Sequence, residues 1–598
     1  MRVCDKRIIV TLAGLMAILG PAAAQASISY DVDLREPASH LIRVVMTVPH
    51  ARARTEIQFP AWNALYQIRD FVRDVEDLEA QCDSKPIALV PVDLYTWSID
   101  SRACSSLSVR YSVYADEAGV FSSELIPGHA FLNLAEELFY IPGERDRQAT
   151  IHFDVPAGWK VVTLIERSPG SDAYQAPSYD SLVDSPVEAG QFQIYSFTQG
   201  ETRYRVAVRA RAGDYSSAHL LKSIARITSA ETALMRDMPC ARYTFIFHFS
   251  PHGGGGGMEH ACGAAISFPQ QDLRTGWRGL EEMIAHEFFH LWNVKRVRPQ
   301  GLDPVSYVRP TDTRDLWFSE GVTSYYADLV LVRAGLISRD DFYRRLARAI
   351  QQLQERPARH FQSVELSGID AWLEKYSDYE RPDRSISYYD KGELLGCLLD
   401  LGIRQASSGH HSLDSLMRRL DTNFAERHRD FTDQDLERMI GELAPPSNWV
   451  ETFFREYVFG TTELAYNRYL SCAGLRLDRK PGTAPDWGFE SERGFDGHIR
   501  VAEVKLGSSA ANAGIKPGDV LTAIDGEELY ALPQQVRGLK PEETVELTAA
   551  RGGKPVEIVF KLGSRPVTHY AIAELRNANP GQLKIRASWL GNGRASAE

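Results

Sequence analysis

Residues 286–290 place two histidines and a glutamate within five positions of the chain. His286 and His290 are four residues apart inside the amphipathic stretch 279–294, so both imidazoles lie on one helical face and can reach one cation. Glu287 is spaced wrongly to bind the same cation as the two histidines. It is placed instead to act on a metal-bound water. Two neutral imidazoles with one carboxylate suit Zn²⁺ and leave a position open for water. The spacing predicts a hydrolytic zinc site, and the alternative is a chance pattern on a core helix.

A catalytic zinc site needs a third protein ligand, and Glu320 is the best candidate. It stands in the segment 316–321, Leu-Trp-Phe-Ser-Glu-Gly, at the start of an apolar helix. A carboxylate at a helix start otherwise serves as a cap or as a partner of the helix dipole. Ser324, one turn further on, is a candidate for a contact that orients a metal ligand.

Two further segments carry groups that suit substrate binding. The glycine run 253–257 precedes the tripeptide 258–260, Met-Glu-His, but no Gly-Lys-Ser/Thr follows, so a phosphate-binding loop is not indicated. Tyr388 and Tyr389 begin a helical segment, where a half-buried aromatic side chain is the ordinary interpretation. Neither segment defines a reaction by itself.

The run 286–299, His-Glu-Phe-Phe-His-Leu-Trp-Asn-Val-Lys-Arg-Val-Arg-Pro, resembles the signature of the glycyl aminopeptidases, which are PDZ-containing gluzincin metallopeptidases. The Trp-Phe-Ser-Glu-Gly block at 317–321 matches in kind and in spacing. The resemblance extends over nearly the whole mature chain and implies a thermolysin-like catalytic domain behind a β-rich front. It also implies one zinc ion per chain and a catalytic base, Glu287. The implied zinc ligands are His286, His290 and Glu320.

The same resemblance gives a role to the segment after the glycine run. It is similar to the Gly-x-Met-Glu-Asn block of related alanyl-type aminopeptidases, in which the acid captures the free α-amino group of the substrate. An ammonium ion in a partly dry cleft needs such a charged partner. In this chain a histidine stands where those relatives have asparagine. The implied substrate-binding residues are Gly257, Met258, Glu259 and His260.

The segment 388–392, Tyr-Tyr-Asp-Lys-Gly, is similar to the Tyr-Glu-Lys-Gly block of these relatives, whose tyrosine donates a hydrogen bond to the oxyanion. Tyr389 aligns with that tyrosine and is the implied catalytic residue, with Tyr388 as the alternative. The implied reaction is attack of a zinc-activated water on the scissile carbonyl. Glu287 takes the proton of the water and passes it to the leaving amine.

Residues 510–526 resemble a PDZ domain, with small residues that begin a short helix and a Pro-Gly-Asp turn into a strand. Trp487, Gly488 and Phe489 are then the predicted loop whose backbone amides hold a peptide carboxylate. Such domains extend their sheet with a peptide strand. The alternative is a PDZ fold that only braces the catalytic domain.

The periodicity divides the chain into several domains. Residues 27–213 alternate with period two, which predicts a β-sandwich-like domain without catalytic clusters. Helical spacing prevails over 214–479. Residues 480–486 are rich in Pro and Gly and are predicted to be a linker, so a chain that ends near Arg479 is expected to keep the catalytic unit. The predicted PDZ-like domain spans 480–565. Residues 566–598 are predicted to form a C-terminal extension. The predicted fold class is multidomain α+β, with a mainly helical, thermolysin-like zinc peptidase domain in the middle.

The start of the chain has the features of an export signal. A basic beginning, an apolar run and Ala-Gln-Ala at 24–26 predict cleavage after residue 26, and no later stretch predicts a membrane span. An exported chain keeps disulfides. The sequence makes the bridges Cys82–Cys104 and Cys240–Cys262 plausible, and it predicts that Cys397 is a buried thiol.

Composition limits the other classes of function. The chain has 598 residues, 44% of them hydrophobic, and a net charge of −12, which argues against a broad basic surface for nucleic acid. The leading interpretation is a periplasmic or secreted zinc aminopeptidase acting on peptides with a free N-terminus, Gly or Ala by resemblance, with a C-terminal peptide as a candidate PDZ ligand. The alternatives are a secreted zinc endopeptidase and a catalytically silent PDZ peptide-binding protein.

Overall fold

The computed structural model describes residues 26–591 apart from 64, 103, 212, 251–254, 303–304, 377–378, 494–497 and 530–537. The predicted signal peptide lies outside the described residues, except for its last residue, and so do the first two glycines of the run 253–257. No helix among the described residues has both the length and the apolar composition that crossing a membrane requires.

The described part of the N-terminal domain contains three β-sheets. Its strands are Ile28–Asp33 (β1), Leu41–Pro49 (β2), Thr55–Gln58 (β3), Val75–Cys82 (β4), Lys85–Ile87 (β5), Val90–Pro91 (β6), Thr96–Ile99 (β7), Ser106–Tyr114 (β8), Glu124–Ile126 (β9), His129–Leu132 (β10), Ala149–Asp154 (β11), Lys160–Thr163 (β12), Glu166–Arg167 (β13), Tyr174–Ala176 (β14) and Val187–Gly190 (β15). The sheet orders are β13-β14-β11-β1-β2-β8-β4-β5, β12-β15-β10-β9 and β3-β7-β6. Buried and accessible residues alternate along β2 because successive side chains point to opposite faces.

The middle domain begins with a sheet of five strands in the described part of the chain. They are Gln193–Gln199 (β16), Thr202–Arg209 (β17), Arg242–Ser250 (β18), Gly256–His260 (β19) and Gly263–Pro269 (β20). Their order is β16-β17-β18-β20-β19, with β17 parallel to β18. The sequence assigns β16 and β17 to the N-terminal domain, because period-two alternation identifies a strand but not the sheet that it joins. The structure therefore moves the domain boundary from residue 213 to the N-terminal side of β16.

Helices make up the rest of the middle domain. After two short helices in the N-terminal domain, Leu134–Glu137 (α1) and Tyr179–Val183 (α2), they are Ser217–Met235 (α3), Gln270–Thr275 (α4), Arg278–Phe289 (α5), Thr323–Arg333 (α6), Arg339–Gln354 (α7), Val364–Ile369 (α8), Tyr388–Ala406 (α9), Leu413–Asn423 (α10), Asp433–Leu443 (α11), Asn448–Phe453 (α12) and Tyr466–Leu470 (α13). Reciprocal capping boxes start α7 at Ser338 and α11 at Thr432, and in each an aspartate stands three residues after the cap.

Two disulfide bridges lie in the described part of the chain. Cys82 is bonded to Cys104, and Cys240 is bonded to Cys262, as the sequence makes plausible. Cys397 is a free and buried thiol, as predicted. Both bridges join segments 22 residues apart, so each closes a short loop beside a sheet.

A long two-stranded ribbon follows the middle domain. It consists of Leu475–Asp486 (β21) and Gly563–Glu574 (β28), antiparallel along their whole length. Residues 480–486, predicted to be a linker, therefore form half of a strand. Proline is tolerated here because each ribbon strand has a free edge, where a missing N–H removes no ladder hydrogen bond.

The PDZ-like domain is inserted between the two ribbon strands. It contains Phe489–Arg493 (β22), Ile499–Val504 (β23), Ser509–Asn512 (α14), Val520–Ile524 (β24), Glu527–Glu528 (β25), Thr544–Arg551 (β26) and Lys554–Lys561 (β27). Its strand order is β22-β23-β24-β26-β27, around an apolar core of its own. Together with the β-rich N-terminal domain and the mainly helical middle domain, this confirms the predicted multidomain α+β class.

The described part of the predicted extension, residues 566–591, belongs to the ribbon and to the middle domain. After β28 the chain forms the C-terminal helix, Pro580–Leu590. Trp589 is fully buried, and its Nε1 donates to the hydroxyl of Tyr325 at 2.7 Å. Nε of Arg333 donates to the carbonyl of Trp589 at 2.9 Å. The described end of the chain therefore completes the core that α6 belongs to.

Candidate active site

Three side chains that the sequence assigns to a metal converge in the middle domain. His286 lies on the last turn of α5, and His290 is the C-cap residue of that helix. Glu320 lies on a π-helical turn, Trp317–Val322, that leads into α6. Nε2 of His286 is 3.0 Å from Nε2 of His290, and Oε2 of Glu320 is 3.3 Å from each of these nitrogens. Ligand atoms this close can share one divalent cation.

A pair of glycines lets the π-helical turn lie directly on α9. A Cβ on Gly321 would collide with the backbone of Gly392, and a Cβ on Gly392 would collide with the carbonyl of Trp317. Any larger side chain would push the two backbones apart. The contact fixes Glu320 relative to the start of α9, where Tyr389 stands.

Contacts behind the triplet orient its ring nitrogens. Nδ1 of His290 donates to the carbonyl of Asn293 at 2.8 Å, and Oγ of Ser324 lies 3.4 Å from Nδ1 of His286. Both Nε2 atoms are thereby directed at the carboxylate. Although burial opposes ionisation of Glu320, the two histidines hold its pKa well below the usual range. The carboxylate is therefore charged, as a metal ligand must be.

Glu287 follows His286 on α5 and places its carboxylate against β19. A Cβ on Gly257 would collide with that carboxylate, so glycine is required at this position. Oε2 of Glu287 is buried without a hydrogen-bond partner among the described residues. Burial is the main cause that raises the pKa of Glu287 to about 8. A buried oxygen without a partner, beside a converging ligand triplet, fits a site completed by a metal ion and a water.

Strand β19 presents alternate residues to opposite sides of the sheet. Gly257 faces α5, and on the same side a carboxylate oxygen of Glu259 lies within 4.8 Å of one of Glu287. Met258 packs into the apolar layer between the N-terminal and middle domains. His260 is 2% exposed on that opposite side. The structure thus brings Gly257 and Glu259 to the cleft, whereas strand alternation takes the predicted substrate-binding side chains of Met258 and His260 away from it.

Lys295 lies between two carboxylates beside β19. Its Nζ is 2.9 Å from Oδ1 of Asp184 and 4.0 Å from Oε1 of Glu259. Oδ2 of Asp184 also accepts a hydrogen bond from the amide of Ala261 at 2.8 Å. Although burial opposes ionisation, Lys295 holds the pKa of Asp184 below its usual range. Sequence reasoning misses this contact, because Asp184 belongs to the N-terminal domain, 111 residues before Lys295.

Two tyrosines begin α9, and one of them faces the triplet. The ring of Tyr389 lies 6.1 Å from that of His286, and 38% of the residue is exposed. Tyr388 is buried, and burial together with Glu374 raises its pKa well above the usual value. The geometry therefore favours Tyr389 over Tyr388 as the tyrosine of the cleft.

The N-terminal domain contributes another aromatic side chain, Tyr66. Its ring lies 6.2 Å from that of Trp372 in the middle domain. Burial, followed by the charges of Glu320 and Glu259, raises the pKa of its hydroxyl well above the usual value. Leu65 and Tyr66 both adopt positive φ, 62° and 49°, a strained conformation for residues with large side chains. No motif marks Tyr66, so sequence reasoning misses it.

The predicted carboxylate-binding loop of the PDZ-like domain lies between β21 and β22. The amide of Gly488 donates to the aspartate that ends β21 at 3.0 Å. Its carbonyl accepts hydrogen bonds from the amide of Lys505 and the hydroxyl of Ser508. The rings of Trp487 and Phe489, 5.9 Å apart, pack against the core of the domain. The backbone groups of Gly488 are thus used in the turn that leads from the ribbon into the domain.

Three family models match the chain. Residues 29–191 match the peptidase M61 N-terminal domain, residues 280–395 match the M61 glycyl aminopeptidase, and residues 500–562 match a PDZ domain. The chain is therefore a multidomain protein whose matched regions follow one another in this order. Its N-terminal and catalytic domains are those of the M61 glycyl aminopeptidases, with a PDZ domain inserted at the end of the ribbon.

Comparisons with individual proteins agree with this fold. An aminopeptidase N family protein from Idiomarina loihiensis has the same fold, with a TM-score of 0.78 and 23% identity over 94% of this chain and 100% of that one. The chain is 43% identical over 191 residues to the serine protease Do-like HtrA of Lactobacillus helveticus, which is 30% of this chain and 43% of that protein. It is 37% identical over 65 residues to the periplasmic pH-dependent serine endoprotease DegQ of Escherichia coli, 10% of this chain and 14% of that protein. The chain thus spans less than half of the length of these curated relatives.

Proposed function

We propose that the chain is an exported zinc-dependent aminopeptidase that removes N-terminal residues, Gly or Ala, from peptides. The observation that carries the proposal is one cleft in which the triplet of His286, His290 and Glu320 meets Glu287 and Glu259. A zinc peptidase needs the ligands and the base. An aminopeptidase also needs an anion where the free amine of the substrate lies, and an endopeptidase does not.

The residues of the cleft divide the chemistry among them. Zinc bound by His286, His290 and Glu320 would supply a positive charge beside the scissile carbonyl and lower the pKa of water. Glu287, through its unpartnered oxygen, takes the proton of the attacking water and passes it to the leaving amine. Tyr389 donates a hydrogen bond to the carbonyl oxygen as that oxygen gains charge. The carboxylate of Glu259 binds the substrate ammonium and so selects the first peptide bond.

A comparison of free and N-acetylated peptides tests the proposal. Acetylation removes the charge that Glu259 binds, so we expect cleavage of the acetylated series to be undetectable. We expect Glu259→Gln to lower kcat/KM on free peptides by about 100-fold, since a buried charge-assisted hydrogen bond is lost, while the zinc content stays unchanged. Product mass and metal content would be measured together. Efficient cleavage of acetylated peptides at internal bonds would instead make the protein an endopeptidase.

The ion pair of Lys295 leads to a second expectation. Asp184 holds the ammonium of Lys295 at 2.9 Å, so Glu259, at 4.0 Å, keeps part of its charge for the substrate. We expect Asp184→Asn to shift Lys295 towards Glu259 and to raise KM roughly tenfold with little change in kcat. Steady-state kinetics on a Gly reporter measure both constants. Asp180→Asn, which breaks an ion pair with Arg145 in the same domain, is the control and should leave KM unchanged. A fall in kcat at constant KM for Asp184→Asn would show that Asp184 acts on the chemical step.

Export and peptide binding by the PDZ domain belong to the same proposal. The basic and apolar beginning of the chain and its two disulfides support an oxidising compartment, periplasmic or extracellular. A longer substrate, or a separate C-terminal peptide, would add a strand to the PDZ sheet. The presence of three metal ligands and a base in one cleft argues against a catalytically silent peptide-binding protein.

A further inference from the structure

A second converging set of ligand atoms lies between the N-terminal and middle domains. His129 on β10 and Glu188 on β15 belong to the N-terminal domain, and His248 lies on β18 of the middle-domain sheet. Nε2 of His248 is 2.8 Å from Oε2 of Glu188, and Nε2 of His129 is 3.2 Å from Oε1 of the same carboxylate. Their exposures are 4%, 1% and 4% for His129, Glu188 and His248. None of them takes part in the chemistry of the cleft.

We propose that His129, Glu188 and His248 bind a structural zinc ion, separate from the catalytic metal, that fastens the N-terminal domain to the middle domain. The donor set is the same as in the cleft, two imidazole nitrogens and one carboxylate. The nitrogen–oxygen distances of 2.8 and 3.2 Å are close to the 3.3 Å found there. Ligand atoms around a tetrahedral zinc ion are separated by about 3.3 Å, given metal–ligand bonds of about 2.0 Å.

The groups around His129 and Glu188 favour a metal ligand set over a simple ion pair. Oε2 of Glu124 lies 2.8 Å from Nδ1 of His129, which places the proton on Nδ1 and leaves the lone pair of Nε2 facing Glu188. Oε1 of Glu188 is buried and accepts no hydrogen bond among the described residues. A cation between the three side chains would satisfy this oxygen, whereas the hydrogen bonds of His248 and His129 both go to Oε2 of Glu188.

The charge balance of the cluster also favours a cation. Arg209 is 3.5 Å from Glu124 and offsets that carboxylate, so the charge of Glu188 is left to the two histidines. The carboxylates of Glu124 and Glu188 lie on either side of the His129 ring, 2.8 and 3.2 Å from its two nitrogens, and create a negative field at this position. The field that attracts a proton to this position attracts a divalent cation more strongly. Two imidazoles with a carboxylate favour a transition-metal ion over Ca²⁺ or Mg²⁺, and zinc commonly binds this donor set.

The position of the cluster explains what such an ion would do. Ile246, two residues before His248 on the same face of β18, lies in the apolar layer between the two domains, and so does Phe131, whose ring is 4.9 Å from that of His248. The N-terminal domain carries Asp184 and Tyr66, which reach the cleft from this side. A metal ion at the margin of the layer would hold both in place.

Zinc content of the full-length protein tests the proposal. We expect about two zinc ions per chain in the wild type, and about one in His290→Ala, which disables the catalytic site but leaves the cluster intact. We expect about one in His248→Gln, which does the reverse, and the wild-type value in His219→Gln, a half-exposed histidine paired with Glu281. Chelation should lower the Tm of His290→Ala and leave that of the double variant His248→Gln/His290→Ala unchanged.

The proposal is overturned if His290→Ala purifies without zinc and takes up none on titration with ZnCl₂, in which case the cluster is an interdomain hydrogen-bond network only. This arm does not require a cluster variant to fold, so a failure of His248→Gln would not weaken the test. If His290→Ala and the wild type carry the same single zinc, the interdomain site stands and the catalytic zinc of the proposed function fails. The two conclusions are therefore separable.

Discussion

Replacement of Glu287 by glutamine is expected to lower kcat by about 1,000-fold while the zinc content stays unchanged. Glutamine has nearly the same shape and fits against Gly257, but it cannot accept a proton from water. The ligands His286, His290 and Glu320 are untouched, so the metal remains. Turnover of a Gly reporter and elemental analysis of the same preparation measure the two effects.

Two controls make this expectation specific. Glu282→Gln changes an exposed carboxylate on the same helix, paired with Arg345 at the surface, and should keep near-native kcat. His290→Ala removes a ligand and should lose both the catalytic zinc and turnover. If Glu287→Gln kept near-native kcat, Glu287 would not be the base and the proposed mechanism would be wrong.

A chain that ends at Arg479 is expected to aggregate or to lose its zinc, contrary to the expectation from sequence. The truncation removes β28 and the C-terminal helix, whose Trp589 is fully buried 5.4 Å from the ring of Phe342. Loss of a buried tryptophan alone costs about 3–5 kcal/mol, a large share of the stability of a domain. Soluble yield, Tm and zinc content measure the result, and Trp589→Ala in the full chain should reproduce part of the loss.

Excision of the PDZ domain is expected to have the opposite outcome. Asp486 and Gly563 are the last pair of the ribbon, so removal of residues 487–562 and closure by an Asn-Gly turn leaves a complete hairpin. The ion pairs that are lost include Arg381 with Glu490 and Asp486 with Lys505; both lie at the surface, so each contributes little. We expect near-native kcat on a Gly reporter and a selective rise in KM for longer peptides. A folded, zinc-containing product without activity on the reporter would show that the PDZ domain helps to build the active site.

Features that depend on local spacing could be predicted from sequence. The helical face of His286 and His290, the capping boxes at Ser338 and Thr432, and the alternation of the first domain all follow from periodicities of 3.6 or 2 residues. Contacts between distant segments could not be predicted. Asp184 reaches Lys295 across a domain interface, and no local pattern records such a pairing.

The strand β19 shows the same limit within five residues. The similarity of this segment to the Gly-x-Met-Glu-Asn block suggested that Met258 and His260 act with Glu259. Such a similarity does not specify which face of the strand lines the cleft. The pleat places Glu259 towards α5 and its two neighbours towards the N-terminal domain. The proline and glycine residues in 480–486 led to the prediction of a linker. They occur in a strand instead, because a ribbon strand with a free edge tolerates both.

The position of the C-terminal helix has a consequence for biosynthesis. The ribosome makes α6 and α7 well before the PDZ domain, whereas Trp589, which packs between them, is made only after the PDZ domain. The PDZ domain, with its separate core, is complete on the ribosome while the catalytic domain still lacks this part of its own. Full assembly of the middle domain therefore waits until the PDZ domain and the C-terminal helix have been made, so a nascent chain stalled before that helix lacks part of the core of the middle domain.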